Sequence, residues 1–331
     1  MRKWRLLKRH IFLTLLLLGT LIAFFSFSSA VLASGEKGVP KYLNIAGGGM
    51  GGGWYLGGAK LAEFATRIWP GISVTASPGG GLANPMRIEK GETDIAFTYT
   101  HNAIAAYKGI SPFKKPIDLR AIMSVYTGYV TGIARPPIKS YAGLKGKKIA
   151  GGTAGKAGRA MTMLVLKAYG LEEGKDFKNI SAGYDKAPSL FVDGLVSSAH
   201  VFGHVPHIVM REILIRRKAN ILPIDDEIAS KLVSKHEGLV KLTIPANKYK
   251  YQNQPVLTVG AMSSIVCRPD LPDEMVYKLT KYFWEHMEEV AKAKSSYKEL
   301  LDGGEKLVTR GIKIPFHPGA ERYWKEIGVL K

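Results

Sequence analysis

The stretch 42–68, YLNIAGGGMGGGWYLGGAKLAEFATRI, constrains this chain more than any other. Its apolar start, Tyr42 to Ala46, reads as a strand. Six of the next seven residues are glycine, with only Met50 intervening between Gly47 and Gly53. Leu61, Phe64, Ala65 and Ile68 then recur at i, i+3, i+4 and i+7, the apolar stripe of a helix. A strand that feeds a helix through bare backbone leaves the amide N–H groups of the helix start free. No side chain blocks approach there, and the helix dipole adds partial positive charge. The stretch therefore predicts an anion-binding loop for a carboxylate, with Gly49, Gly52 and Gly53 among its donors.

The same unit recurs. A short strand at 148–150 opens the loop GGTAGKAG, 151–158. A helix follows with Met161, Leu164, Val165 and Ala168 on one face and Gly170 as its stop. Between the two units, a strand at 72–77 runs into Pro78 and three glycines, and a short helix over 84–90 ends at Gly91. A third strand lies at 94–98, with a helix after it. Alternating strands and helices predict an α/β chain with parallel strands and crossover helices. The runs 119–126 and 129–134 read as two strands, and 255–268 as one long extended stretch. Pro272 opens what reads as the longest helix, with Val276, Leu279, Phe283, Met287 and Val290 along one side. With 331 residues there is room for two domains of ordinary size, and two strand–glycine–helix halves facing one another would make a cleft.

The N-terminus stands apart from that core. Arg2, Lys3, Arg5, Lys8 and Arg9 precede an almost wholly apolar run at 11–25, and small residues lead to Ala33. This is the pattern of a secretory signal peptide over 1–33. An uncleaved anchor is the alternative, because the apolar run approaches the length of a span. No cysteine near residue 30 could carry a lipid. Removing 1–33 removes five basic and no acidic residues, leaving 42 basic against 27 acidic and a net charge of +15. The basic residues are scattered with no long block, so a nucleic-acid partner is not expected. Steering of an anionic solute fits, as does a generally basic surface. The single cysteine, Cys267, cannot form an intrachain disulfide and reads as a small buried hydrophobe.

Enzymatic readings fare poorly. Gly47, Gly49 and Gly52 satisfy G-x-G-x-x-G after a strand and before a helix. A dinucleotide site also needs an acid about 20 residues on, and the second strand ends in Pro-Gly-Gly-Gly instead. The loop 151–158 is one residue short of a P-loop and has Ala157 after Lys156. His200, His204 and His207 have metal-ligand spacing for a helix, but Gly203 and Pro206 break any helix there. No catalytic residue, metal or cofactor is expected. What remains is binding. Trp54 and Tyr55 follow the first loop, and Gly80, Gly81 and Asn84 the second. Thr98, Tyr99 and His101 follow the third strand, and Arg135 ends a strand. Thr153, Ala154, Gly155, Lys156 and Arg159 make the opposite jaw. Backbone donors, one or two cations and an aromatic wall suit a small anion. Taken singly, each aromatic fits core packing as well, and Lys156 and Arg159 fit a solvated helix start.

In order and spacing, several stretches resemble the TAXI family of solute receptors of TRAP (tripartite ATP-independent periplasmic) transporters. They are the glycine loop with Trp54-Tyr55-Leu56-Gly57-Gly58, the glycine cluster with Asn84, and GETDIAF with Tyr107-Lys108-Gly109. LKGKKIAGGTAG, TVGAMSSIVCRPDLPDEMVYKLTKYFWEH and IPFHPGAERYWKE complete the set. The similarity extends from about residue 42 to the C-terminus. It implies a type II-like, Venus-flytrap periplasmic binding protein. Its two α/β domains, at 40–125 plus 256–331 and at 126–255, would be joined by a strand hinge. It also implies a monomeric, non-enzymatic receptor that closes on glutamate or another carboxylate and delivers it to membrane subunits. A periplasmic sensor feeding a membrane kinase would share this fold. Three features depart from the family: a nearly bare first loop with Trp54 in place of a Tyr, Gly-Gly-Gly-Leu-Ala before Asn84, and Lys156 and Arg159 in the second-half loop. Hydroxyls are lost and cations gained, which shifts the expectation from an amino acid towards a dicarboxylate.

Overall fold

The computed structural model describes residues 39–50 and 52–331. The expected signal peptide and Gly51 lie outside the described residues. Ten strands join in one mixed sheet, with eleven α-helices among the described residues.

Two long strands carry the architecture: β4 (Arg120–Ala134) and β10 (Val256–Cys267). They run antiparallel, from Cys267 opposite Arg120 to Gly260 opposite Tyr129. On one side of the crossing, β10 pairs with β3 (Ile95–Tyr99). Beyond β3 lie β1 (Tyr42–Ala46) and β2 (Ser73–Ser77), all three parallel. On the other side, β4 pairs with β7 (Ser198–Gly203), and β7 with β5 (Lys147–Ala150) and then β6 (Phe177–Asn179). Two short edges finish this half: β8 (Asn220–Leu222) on β4 and β9 (Val240–Ile244) on β10. Each half has its own buried cluster. Phe113, Leu119, Ile104 and Val266 pack in the first half, and Phe191, Val201, Met210 and Ile213 in the second.

The sequence places two strands at 119–126 and 129–134; the structure has one of 15 residues. Thr127 and Gly128 look like a break in an apolar pattern, but they stay in the ladder opposite Met262 and Ala261. Glycine is needed here for another reason. A Cβ on Gly260 would lie 2.1 Å from the Gly128 carbonyl oxygen, and one on Gly128 would lie 2.4 Å from the Tyr99 ring. Gly260 must be bare for the two backbones to approach, and Gly128 must be bare to admit the Tyr99 ring. Similarly, the run after Pro272 divides at His286 into α8 (Asp273–Glu285) and α9 (Met287–Ala293). The longest described helix is instead α1 (Gly53–Ile68), with 16 residues. The segment between Ile224 and Pro255, unassigned from sequence, holds α7 (Asp226–Lys235) and β9.

The register settles where the loops go. Tyr99 ends β3 opposite Ser263, and Gly203 ends β7 opposite Tyr129. Both halves therefore turn the C-terminal ends of β3 and β7 towards the middle of the long strands. Replacing Gly260 with Ala sets a methyl against main chain, which no rotamer change relieves. Urea unfolding of Gly260→Ala is expected to show a loss of about 1–3 kcal/mol, with an unchanged m-value.

Candidate functional site

The glycine loops of the two halves meet at this seam. The first-half loops lead into α1 and α2 (Ala83–Glu89), and β3 passes directly into α3 (Thr100–Lys108); the second-half loop leads into α4 (Ala157–Ala168). A Cβ on Gly80 would stand 3.1 Å from the Gly155 carbonyl oxygen and 3.2 Å from Lys156 Cδ. On Gly81 it would meet Ala157 Cβ at 2.8 Å, Trp54 at 3.2 Å and Asn102 Nδ2 at 3.3 Å. Bare backbone is what allows the jaws to come this close. Lys156 Nζ crosses the seam and donates to the Gly79 carbonyl at 2.8 Å.

Two asparagines shape the loops. Asn84 is fully buried. Its Nδ2 donates to the Gly47 carbonyl at 2.8 Å and the Phe97 carbonyl at 2.7 Å, and its Oδ1 accepts from Gly80 N at 3.0 Å. It therefore ties the first loop, the second loop and β3 together. Asn179, at the end of β6, does the same for the opposite jaw. Its Oδ1 accepts from Gly151 N at 2.8 Å and its Nδ2 donates to the Gly152 carbonyl at 3.2 Å. Sequence reading missed Asn179, whose only signal is a polar residue at the end of a short strand. Thr98 donates to the Gly81 carbonyl at 2.6 Å and holds that loop from below.

An aromatic stack runs through the seam. The Trp54 ring lies 4.6 Å from Tyr99, and Tyr99 lies 4.0 Å from Phe202 on β7 of the other half. The Tyr99 hydroxyl donates to the Phe202 carbonyl at 3.3 Å, and the Trp54 indole N–H donates to Ser263 Oγ on β10. Tyr55, the next residue of the same turn, is half-buried, with its Cα against Gly47. Gly49, Thr153, Ala154 and Gly155 are exposed, while Gly52 and Gly53 are half-buried at the start of α1. At none of the helices α1, α3 and α4 does the N-cap side chain bond the first turn, so that turn's backbone N–H groups lack an N-cap side-chain acceptor.

The expected cations divide. Lys156 is at the seam. Arg159 pairs with Glu173 of its own half at 2.6 Å. Arg135 caps the end of α5 (Ala187–Val192), donating to the Phe191 and Val192 carbonyls and lying over the Phe191 ring. It follows Ala134, which pairs with Ser198 at the start of β7. Six residues of strand, roughly 20 Å, separate it from Tyr129 at the crossing. The end of a strand was read correctly, but it is the wrong end: β4 runs away from the seam.

The three spaced histidines sit in separate settings. His200 is buried on β7 with Nε2 2.9 Å from Ser198 Oγ. His204 faces Glu299 at 3.6 Å across the seam. His207 accepts from Val209 N and caps α6 (Ile208–Arg216). No group of three metal-ligating side chains occurs among the described residues. Burial raises the Glu299 carboxyl, but the His204 ring and the Thr127 hydrogen bonds outweigh it and hold it below its ordinary value. Cys267 is buried, and its thiol is pushed up by desolvation.

An α/β protein with two halves joined by two crossing strands, and with paired helix-start loops at the seam, has the periplasmic-binding-protein type of fold. Residues 45–328 match the NMT1-like family, and the chain belongs to it. Among solved structures it is similar to the periplasmic aliphatic sulphonate binding protein SsuA from Escherichia coli. The identity is 16%, with 86% of this chain and 83% of that one covered and a TM-score of 0.44. The alkanesulfonate-binding protein SsuA from Xanthomonas axonopodis pv. citri, bound to MOPS, is 14% identical over 87% of this chain and 84% of its own, with a TM-score of 0.40. A mutant of ArgBP from T. maritima is 11% identical over 79% and 96%, with a TM-score of 0.42. No described helix is long and apolar enough to cross a membrane.

Two outcomes follow. Asn84→Ala leaves several buried loop groups unpaired, at about 1–3 kcal/mol each, so the variant is expected to lose at least about 3 kcal/mol in urea unfolding. Burial lowers His101 and His200 to about 3 and His207 to about 4; His236 adds to the effect at His101, and Lys294 and His204 add to it at His207. These rings fold neutral but take up protons near pH 6.5 when unfolded. Their contribution is complete above pH 6.5 and is lost as pH falls towards 4. With all three acting, the slope is roughly 4 kcal/mol per pH unit at most. The urea midpoint is expected to fall steeply from pH 6.5 to 5 and to be flat from 7 to 8.

Proposed function

We propose that this protein is an extracytoplasmic solute receptor, not an enzyme, that captures a small carboxylate between its two halves. It delivers that solute to the membrane subunits of a TRAP transporter. The observation that carries this reading is the meeting of glycine loops from both halves beside the helix starts of α1 and α4. Backbone N–H groups and helix dipoles there favour an oxyanion, and no acidic side chain intrudes among the loop residues. Membership of the NMT1-like family, the motif order shared with TAXI receptors and the net positive charge agree with it.

In this reading, 40–125 plus 256–331 and 126–255 are lobes that open and close about the Gly128–Gly260 crossing. Gly49, Gly52, Gly53, Gly80, Gly81, Thr153, Ala154 and Gly155 line the jaws. Trp54, Tyr55 and Tyr99 form the wall, and Lys156 stands at the lip. Residues 1–33 direct export to the periplasm, where the receptor acts as a monomer without a cofactor. The dicarboxylate preference needed Lys156 and Arg159 both to face the ligand. With Arg159 on Glu173 and Lys156 on Gly79, the reading is widened to small carboxylates in general.

Thermal shift and calorimetry on the purified protein test this with acetate, propionate, succinate and glutamate. A true ligand at a hundredfold excess over its Kd is expected to add about 2.7 kcal/mol of stability. If none of the four stabilises the protein, the reading as a carboxylate receptor is wrong.

A further inference from the structure

Buried polar atoms without a hydrogen-bond partner concentrate on one turn. Thr100 Oγ1, His101 Nδ1 and Asn102 Nδ2, at the start of α3, all belong to this class. Their surroundings separate them. Thr100 lines a cavity of about 10 Å³ with Ser264 and Gly311, which is space for roughly one water. His101 is enclosed by Tyr99, Phe202 and the Gly238 turn. Asn102 alone points at the glycine loops. Its side chain is 4% exposed, and its Nδ2 lies beside Gly81, between the Trp54 ring and Ala157 of the opposite jaw. A buried amide donor left unpaired costs about 1–3 kcal/mol, and packing alone would favour an apolar residue there.

The charged groups nearby are engaged elsewhere. Lys156 holds the Gly79 carbonyl, Arg159 holds Glu173, and Lys108 and Lys313 both hold Glu237 at 2.5 and 3.3 Å. Glu237 follows α7 in the second half, so these ion pairs latch the outer seam shut. The donors that remain at the centre are neutral: Asn102 Nδ2, Ser296 Oγ beside Gly53 and the first-turn N–H groups of α1 and α4.

Resting on the receptor reading above, we propose that Asn102 is the specificity-determining residue that receives one carboxylate oxygen, and that the site takes a singly charged ligand. Neutral donors balance one negative charge through dipoles. A second carboxylate would be desolvated with no cation to face it. Lys156 acts as a closing latch across the jaws.

The test compares wild type, Asn102→Ala and Asn102→Asp by calorimetry with acetate, propionate and succinate, together with urea unfolding of each ligand-free protein. Asn102→Ala is expected to weaken monocarboxylate binding by about 10- to 100-fold. Its ligand-free stability should be equal to or above wild type, because an unpaired donor has been removed. Asn102→Asp should bind still more weakly, since it sets like charges together. Succinate should bind wild type more weakly than propionate, and propionate affinity should change little between about 0.02 and 0.5 M salt, as a site whose nearest cation, Lys156, is held at the lip by the Gly79 carbonyl requires. If wild type binds neither these probes nor glutamate, the carboxylate-receptor reading itself falls; binding of glutamate alone would refute the assignment of the site to simple monocarboxylates. If wild type binds and Asn102→Ala binds equally well, the role of Asn102 is refuted on its own. A fall in ligand-free stability of Asn102→Ala would assign Asn102 a structural role and refute the proposal. Tighter binding of succinate, lost at high salt, would refute the single-charge assignment.

Discussion

Everything in this molecule depends on the close antiparallel crossing of β4 and β10. Gly260 lies against the Gly128 carbonyl at a distance that only hydrogen on Cα permits. The same two strands continue into both halves, so each half borrows its central strands from the other. One sheet results, and the two cores stand on either side of a shared pair of strands. Beyond the crossing, β8 and β9 take over the freed edges, which keeps the backbone hydrogen bonds of both long strands satisfied where they part.

The crossing also explains the seam. Because the parallel strands of both halves end at it, the glycine loops after β1, β2 and β5 face each other, and so do the helix starts that follow them. Such loops have little to offer but backbone. Two asparagines hold their carbonyls and amides in place, and an aromatic stack from Trp54 through Tyr99 to Phe202 fills the space behind them. The cations are used for structure. Arg135 caps a helix, Arg159 holds an acid, and Lys108, Lys156 and Lys313 tie one half to the other. A high net positive charge at the level of composition is therefore compatible with a site centre built from neutral donors.

Much of the fold was legible along the chain. The strand Tyr42–Ala46 and the helix after the first glycine loop, α1 (Gly53–Ile68), lie where their patterns place them, because apolar periodicity and Gly punctuation act locally. The candidate site was legible in part. The glycine loops announce themselves by composition, and Trp54, Tyr99 and Lys156 were adjacent in sequence to loops that meet. Arg135 shows the opposite case: a cation at a strand end carries no sign of which end faces the partner half. Asn84 was noticed as a possible ligand group, yet three loops converge on it, and its amide is engaged by them. Asn102 went unnoticed because a polar residue in the first turn of a helix is ordinary. It becomes notable only once burial leaves its donor without a partner.

The sequence by itself determined that this is an α/β chain with repeated strand–glycine–helix units and a long apolar run late in the chain. Those properties follow from side-chain periodicity and from the conformational freedom of glycine, both of which are local. Tertiary structure decided that two runs form one crossing strand, that both loop sets share a seam, and which polar groups stay unpaired there. These are outcomes of strand register and direction, set by contacts between residues roughly 60 to 150 positions apart. No local pattern encodes them.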